Sequence, residues 1–312
     1  MTSVRALLTD SRSVVGLALL AGFALFGVFA PLLSPIDPLA QTDVVTTRFL
    51  PPLTVGQDGI RRLLGTDALG RDLFTRLAYG ARISLAVGLL AVAVSLAVGG
   101  MVGVTAAMIG GLPERALMAV TDAALAMPRI VLLLVLVTLW QQSLLLVVLV
   151  LGFTGWMGVA RLARAEVRGL LGRPFVEAAR ASGQGAARLL MRHLLPNAAT
   201  PLIVAAALGV GNAIMLEAGL SFLGLGIPAP APSWGNMIAN GRDALVNAPW
   251  VATLPGLAVA VTVVACNLLG DGLRDALDPQ SRLASRATPR RPAAGSSVPP
   301  ARPDAAAAGT SP

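Results

Sequence analysis

The stretch that decides the fold reads Arg173-Pro174-Phe175-Val176-Glu177-Ala178-Ala179-Arg180-Ala181-Ser182-Gly183-Gln184-Gly185, followed by Leu189, Leu190, Leu194 and Leu195 and closed by Pro196. Pro174 suits the first turn of a helix, the residues after it are mostly good helix formers, and Gly183 suits a left-handed stop. The spacing predicts a short helix ending at Gly183. A second amphipathic stretch should follow Gly185, with Pro196 separating it from the apolar run beyond. Ala178, Ala179 and Ala181 make one side small enough to enter a groove closely. Arg173, Arg180, Arg188 and Arg192 surround the hairpin and suit an acidic partner or anionic lipid; a solvated interfacial loop is the plainer reading of the same composition.

Outward from this loop the chain is apolar. Hydrophobic residues make up 55% of the 312 and charged residues 13%, about half the charged share of a soluble domain. A bilayer core about 30 Å thick needs about 20 apolar residues in a helix, and six such spans can be placed. They lie at 14–33, 82–110, two within 116–160 broken near Trp140-Gln141-Gln142-Ser143, 198–222 and 250–270. The third span carries Asp122, Pro128 and Arg129 in its first half, which places that half at the interface. The first is an uncleaved anchor, because its uncharged run exceeds the roughly 7–15 residues of a signal-peptide core. The expected class is therefore an all-α integral membrane protein of six transmembrane helices, with the 161–197 loop between helices 4 and 5. That loop is far longer than the roughly 2–8 residues a helix hairpin needs.

All 24 basic residues are arginine, giving a formal charge of +8. With the N-terminus inside, 17 arginines fall on the cytoplasmic side and seven outside, as the positive-inside rule requires. Six of those seven, Arg48, Arg61, Arg62, Arg71, Arg76 and Arg82, crowd the first outer loop and narrow the margin. The expected organisation is a cytoplasmic N-terminus (1–13), a first transmembrane helix (14–33), a turn-rich periplasmic segment (34–81), a five-helix transmembrane domain (82–278) and a disordered Pro/Ala-rich cytoplasmic tail (279–312). Both termini are cytoplasmic in this arrangement. Basicity here orients the chain in a membrane, so no nucleic-acid role is needed.

Absent residue types exclude several chemistries. Without lysine there is no Walker A loop and no Schiff-base lysine, so the chain is not its own P-loop ATPase. One cysteine, Cys266, and one histidine, His193, exclude an internal disulfide and a Cys/His zinc cluster. His193 has no acid at helical spacing, and Gly219-Leu220-Ser221-Phe222-Leu223 lacks the second glycine of a nucleophile elbow. No catalytic constellation or metal site emerges.

Glu177-Ala178-Ala179, with Gly183 beyond and then His193-Leu194-Leu195-Pro196-Asn197, resembles the EAA loop of binding-protein-dependent ABC importer permeases. Further ordered blocks resemble the dipeptide/oligopeptide/nickel permease family, its C-type subunit in particular. These are Leu64-Gly65-Thr66-Asp67-Ala68-Leu69-Gly70-Arg71-Asp72, Tyr79-Gly80-Ala81-Arg82-Ile83-Ser84-Leu85, Glu217-Ala218-Gly219-Leu220-Ser221-Phe222-Leu223-Gly224-Leu225-Gly226, Pro232-Ser233-Trp234-Gly235-Asn236-Met237 and Asn267-Leu268-Leu269-Gly270-Asp271-Gly272-Leu273-Arg274-Asp275. Arg62 departs from the pattern, standing where that family often has a histidine.

The resemblance implies a permease subunit of an ATP-driven importer that forms a path for di- or oligopeptides across a bacterial inner membrane. It implies a second, homologous permease, two ATPase subunits that bind ATP and Mg, and a periplasmic or lipid-anchored solute-binding protein; this chain itself carries no cofactor. Glu177, Ala178, Ala179 and Gly183 become the ATPase-coupling helix. Intramembrane carboxylates mark function by default, so Glu217 and Asp122 are candidate substrate-path residues; Glu217 reads equally as an interhelical acceptor, and Arg129 is placed to neutralise Asp122. Gly99 and Gly103 form a G-x-x-x-G for close packing within the bundle or against the partner. The alternative class is an ion-coupled secondary carrier for small polar solutes, which needs more intramembrane carboxylates and an inverted repeat that is not evident.

Overall fold

The computed structural model describes residues 7, 10–41 and 43–277; the expected Pro/Ala tail lies outside the described residues. The long apolar runs become long helices. In chain order these are α1 (Ser11–Val28), then short α2 (Ala30–Leu33) and α3 (Val44–Thr47), and a two-residue antiparallel hairpin of β1 (Thr54–Val55) and β2 (Arg61–Arg62). There follow α4 (Leu73–Ile109), α5 (Gly111–Ala126), α6 (Arg129–Thr138), α7 (Leu144–Leu171), α8 (Pro174–Ala181), α9 (Ala186–Leu189) with a π turn at Leu190–Leu194, α10 (Leu195–Phe222), α11 (Trp234–Gly241) and α12 (Trp250–Leu277). Among the described residues five helices are long and apolar enough to cross a membrane, and the pair α5 and α6, bent by 87°, makes a sixth crossing if counted as one span.

Several boundaries differ from the sequence expectation: α1 stops at Val28 and not at 33, α7 continues to Leu171 into the expected 161–197 loop, α12 continues past 270 to Leu277, and three further differences have a clear physical cause. Helix α4 begins at Leu73, well before Arg82, because Asp72 caps it: the Asp72 carboxylate accepts from Thr75 N at 2.8 Å and Thr75 Oγ1 at 2.7 Å. The arginines that marked an aqueous boundary turn onto main-chain carbonyls. Arg76 donates to Pro38 O at 3.0 Å, and Arg82 to Gly27 O and Val28 O at 2.5 and 2.6 Å. The third span is not one helix, since the chain turns sharply at Met127 and Pro128 and leaves α6 only ten residues long. Pro196 does not separate the hairpin from the next span. It sits in the first turn of α10 directly after the π turn, where Leu195 N donates to Leu190 O, and the widened turn accommodates the proline ring.

Close packing of small residues holds the bundle. A Cβ on Gly99 would stand 2.7 Å from Val159 Cβ, and one on Gly103 would stand 2.9 Å from Ala163 Cβ, so this pair lets α4 lie directly on α7. Ser95 Oγ also donates to Gly152 O across the same seam at 2.9 Å. The G-x-x-x-G therefore serves the chain's own core. One apolar cluster joins α4, α6, α7 and α10 around Val87, Leu133 and Leu151, and another gathers α4, α7, α8, α9 and α10 at the hairpin end.

At the opposite end, the segment before α4 is turn-rich and held by buried ion pairs. Asp67 accepts from Leu69 N, Arg71 N and Arg71 Nε at 2.9, 3.0 and 2.7 Å, with Arg76 Nε at 3.6 Å. Arg62, 2% exposed, reaches Asp58 at 2.5 Å and Asp72 at 3.8 Å. The departure at this position is thus a structural cation. Three of the outer-loop arginines, Arg62, Arg71 and Arg76, are internally neutralised.

Candidate functional site

Helix α8 stands at one end of the bundle with a divided surface. Val176 and Ala179 are buried at 0% and 7% exposure against Val167, Leu189 and Leu194. Phe175, Glu177, Ala178, Ala181 and Gly183 are exposed. Of the four expected coupling residues, Ala179 therefore seats the helix and the other three present it. No ion pair among the described residues uses Glu177, whose place in the first turn suits the helix dipole.

The end of α8 is built as a Schellman motif. Gly183 has φ +77°, its N donates to Arg180 O at 2.9 Å, and Gln184 N donates to Ala179 O at 3.2 Å. Nothing lies within 4 Å of a Cβ placed on Gly183, so glycine is required there by backbone conformation alone. His193 pairs with Gln184 Oε1 at 3.0 Å and lies 6.5 Å, centroid to centroid, from Phe175. It braces the hairpin and has no acidic partner among the described residues.

Sequence reasoning did not find what holds this end rigid. Glu114, 4% exposed in the first turn of α5, accepts from Arg164 Nε at 2.7 Å, with Arg168 at 3.5 Å. Arg161 lies 3.8 Å from Asp122. Arg161, Arg164 and Arg168 recur at helical spacing, and that stripe was the available signal for an acidic helix beside α7. Apolar Phe175 and Met191, 43% and 67% exposed, were also not assigned to the outward face.

The two expected path residues are not brought together. Asp122 is an exposed partner of exposed Arg161, and Arg129 does not neutralise it. Arg129 turns instead towards α7, donating to Thr154 Oγ1 at 3.5 Å and Leu151 O at 3.4 Å. Glu217, fully buried, accepts from Ser221 Oγ at 2.8 Å and Ser233 Oγ at 2.9 Å, and Ser233 also caps α11. The geometry favours its reading as an interhelical acceptor. It fastens α10 to α11, whose Trp234 is fully buried, donates to Leu77 O at 3.1 Å and meets Phe23 edge-on at 5.2 Å.

A bundle of helices long and apolar enough to cross a membrane, with an outward-presented, glycine-capped hairpin, defines an integral membrane protein rather than a soluble domain. Comparison with known proteins gives the particular family. Residues 99–283 match the binding-protein-dependent transport system inner membrane component family, and residues 2–52 match the N-terminal TM domain of oligopeptide transport permease C. The chain belongs to this family, as a C-type permease subunit and not an enzyme. It is 43% identical over 262 residues to the di/tripeptide transport system permease protein DppC of Pseudomonas aeruginosa, covering 83% of this chain and 84% of that one. It is 37% identical over 273 residues to the dipeptide transport system permease protein DppC of Alkalihalophilus pseudofirmus, covering 88% and 87% respectively. Among solved structures, an inward-facing MetNI methionine ABC transporter chain shares the fold, with TM-score 0.55, 20% identity, and 65% of this chain and 97% of that chain covered.

Proposed function

We propose that this chain pairs with a second permease of the same family to form the path by which di- or oligopeptides enter the cell. Transport is driven by two separate ATPase subunits that bind ATP and Mg, and the solute is delivered by a periplasmic or lipid-anchored binding protein. The names of the relatives support the peptide assignment. The observation that carries the coupling role is the divided surface of α8. Val176 and Ala179 bind it to the bundle, while Phe175, Glu177 and Ala178 remain free to enter a groove on an ATPase. Closure of an ATPase dimer would then move α8, and rigid-body motion of the bundle would follow.

This reading places the hairpin and both termini in the cytoplasm. The arginine bias supports that orientation. Proteoliposomes holding the two permeases and the ATPases, supplied with binding protein, should take up a radiolabelled dipeptide only with ATP. Uptake driven by a proton or sodium gradient without the ATPases would contradict the proposal and favour the secondary carrier.

A further inference from the structure

A cavity of about 200 Å³ lies inside the bundle where α4, α6, α7 and α10 meet. Small and apolar residues make most of its wall, and its polar side chains are Ser95, Arg129 and Asn212. Arg129 is its single charge. The guanidinium lies beside Leu151 and Thr154, up to ten residues into α7, or about 10–15 Å along that helix at 1.5 Å per residue. Counted from Leu144, just after the Trp140–Ser143 break, this is near the midplane of a hydrocarbon core of about 30 Å. That is deeper than the interface expected from the sequence, so that 16 and not 17 arginines count as cytoplasmic.

A cation at that depth is costly unless a counter-charge meets it, and it marks a solute pathway by default. Arg129 has no such partner among the described residues: none of their ion pairs includes it, and its two hydrogen bonds to neutral groups are long, at 3.4 and 3.5 Å. Gly155 lets the guanidinium lie close against α7, since a Cβ there would come within 3.3 Å of Arg129 Nη2. A guanidinium offers five N–H donors in a planar fork matched to a carboxylate, and most of them remain uncommitted.

We infer that Arg129, with Asn212, forms an intramembrane subsite that receives a carboxylate of the solute during passage. This rests on the peptide reading and deepens it, because a free peptide ends in such a group. Asn212 supplies a neutral amide donor on the facing α10, where a passing carboxylate can exchange partners without being trapped, while the Ser95 hydroxyl stays committed to Gly152 O.

The test uses the complete importer in proteoliposomes and compares uptake of a dipeptide with uptake of the same dipeptide amidated at its C-terminus. The same binding protein serves every variant, so its own preference cancels when the acid-to-amide ratio is compared with that of the wild type. Arg129→Gln should lower this ratio about tenfold or more, the loss of one charge-assisted contact, and Arg129→Lys should restore part of it. Asn212→Asp, which keeps the arginine but neutralises the cavity, should lower the ratio in the same direction and covers the case in which Arg129→Gln fails to assemble. An unchanged ratio in the assembled variants, or equal loss of both solutes, would overturn the inference while leaving the peptide reading intact. Failure of the wild-type importer to move either dipeptide would overturn both.

Discussion

Replacing Gly183 isolates the geometry of the coupling hairpin from its chemistry. At φ +77° an L-residue pays about 1–2 kcal/mol for the left-handed conformation, and the empty space around a Cβ here adds no steric cost. Gly183→Val should suffer at least this much, being β-branched, whereas Gly183→Asn should suffer least because asparagine enters this region readily. The penalty falls on the two closing hydrogen bonds, Gly183 N to Arg180 O and Gln184 N to Ala179 O, and so on the direction in which α8 is presented. If the hairpin relaxes to avoid it, the docking-competent fraction falls by about five- to thirtyfold, and apparent ATPase affinity falls by the same factor. Titration of labelled ATPase onto the permease pair in nanodiscs measures that affinity, with peptide uptake as the second readout. The expected order is glycine, then asparagine, then valine, with the permease still folded. Equal binding and uptake for Gly and Val, or asparagine worse than valine, would refute the reasoning. Gly183→Asp is less informative, since it adds a charge beside the docking face.

Two further outcomes follow from the packing. Glu217→Gln keeps one oxygen for Ser221 and Ser233, so uptake should stay within about twofold of wild type, whereas Glu217→Ala strands both hydroxyls and should cost about 1–3 kcal/mol in thermal unfolding in detergent; loss of uptake by a folded Gln variant would return Glu217 to the solute path. Gly103→Val forces α4 from α7 and should destabilise the bundle by about 1–3 kcal/mol or more, seen as loss of a monodisperse chromatographic peak, while Gly100→Ala, with nothing within 4 Å of its Cβ, should be silent; equal behaviour of the two would remove the close-packing account.

Hydropathy made most of the bundle legible. Each of the five long helices is built around a long apolar run, though α4, α7 and α12 extend past it through charged residues, and the break near Trp140–Ser143 is where α7 begins, at Leu144. Helix α8 was legible because its signals are local: a proline at the start, helix formers within, and a glycine that suits a left-handed stop. What was hidden depends on pairing across helices. Arg76 and Arg82 looked like an aqueous boundary because their acceptors are carbonyls far away in the chain. Asp122 and Arg129 are close in sequence, yet the bend between α5 and α6 sends one to the surface and the other into the bundle. Glu217 showed its cost in the sequence, but its two serine partners, one of them sixteen positions away, decide that it fastens helices. Pro196 was read as a break because a local rule does not anticipate the π turn that absorbs it.

Cross-linking tests the coupling claim most directly. The single native cysteine, Cys266, is buried, so Ala178→Cys places a lone accessible thiol on the outward face of α8, and Leu69→Cys places one at the opposite end of the molecule. In the assembled importer, a short thiol-reactive cross-linker should join position 178 to the ATPase subunit and leave position 69 unjoined. An importer that transports normally while position 178 never reaches the ATPase would contradict the account.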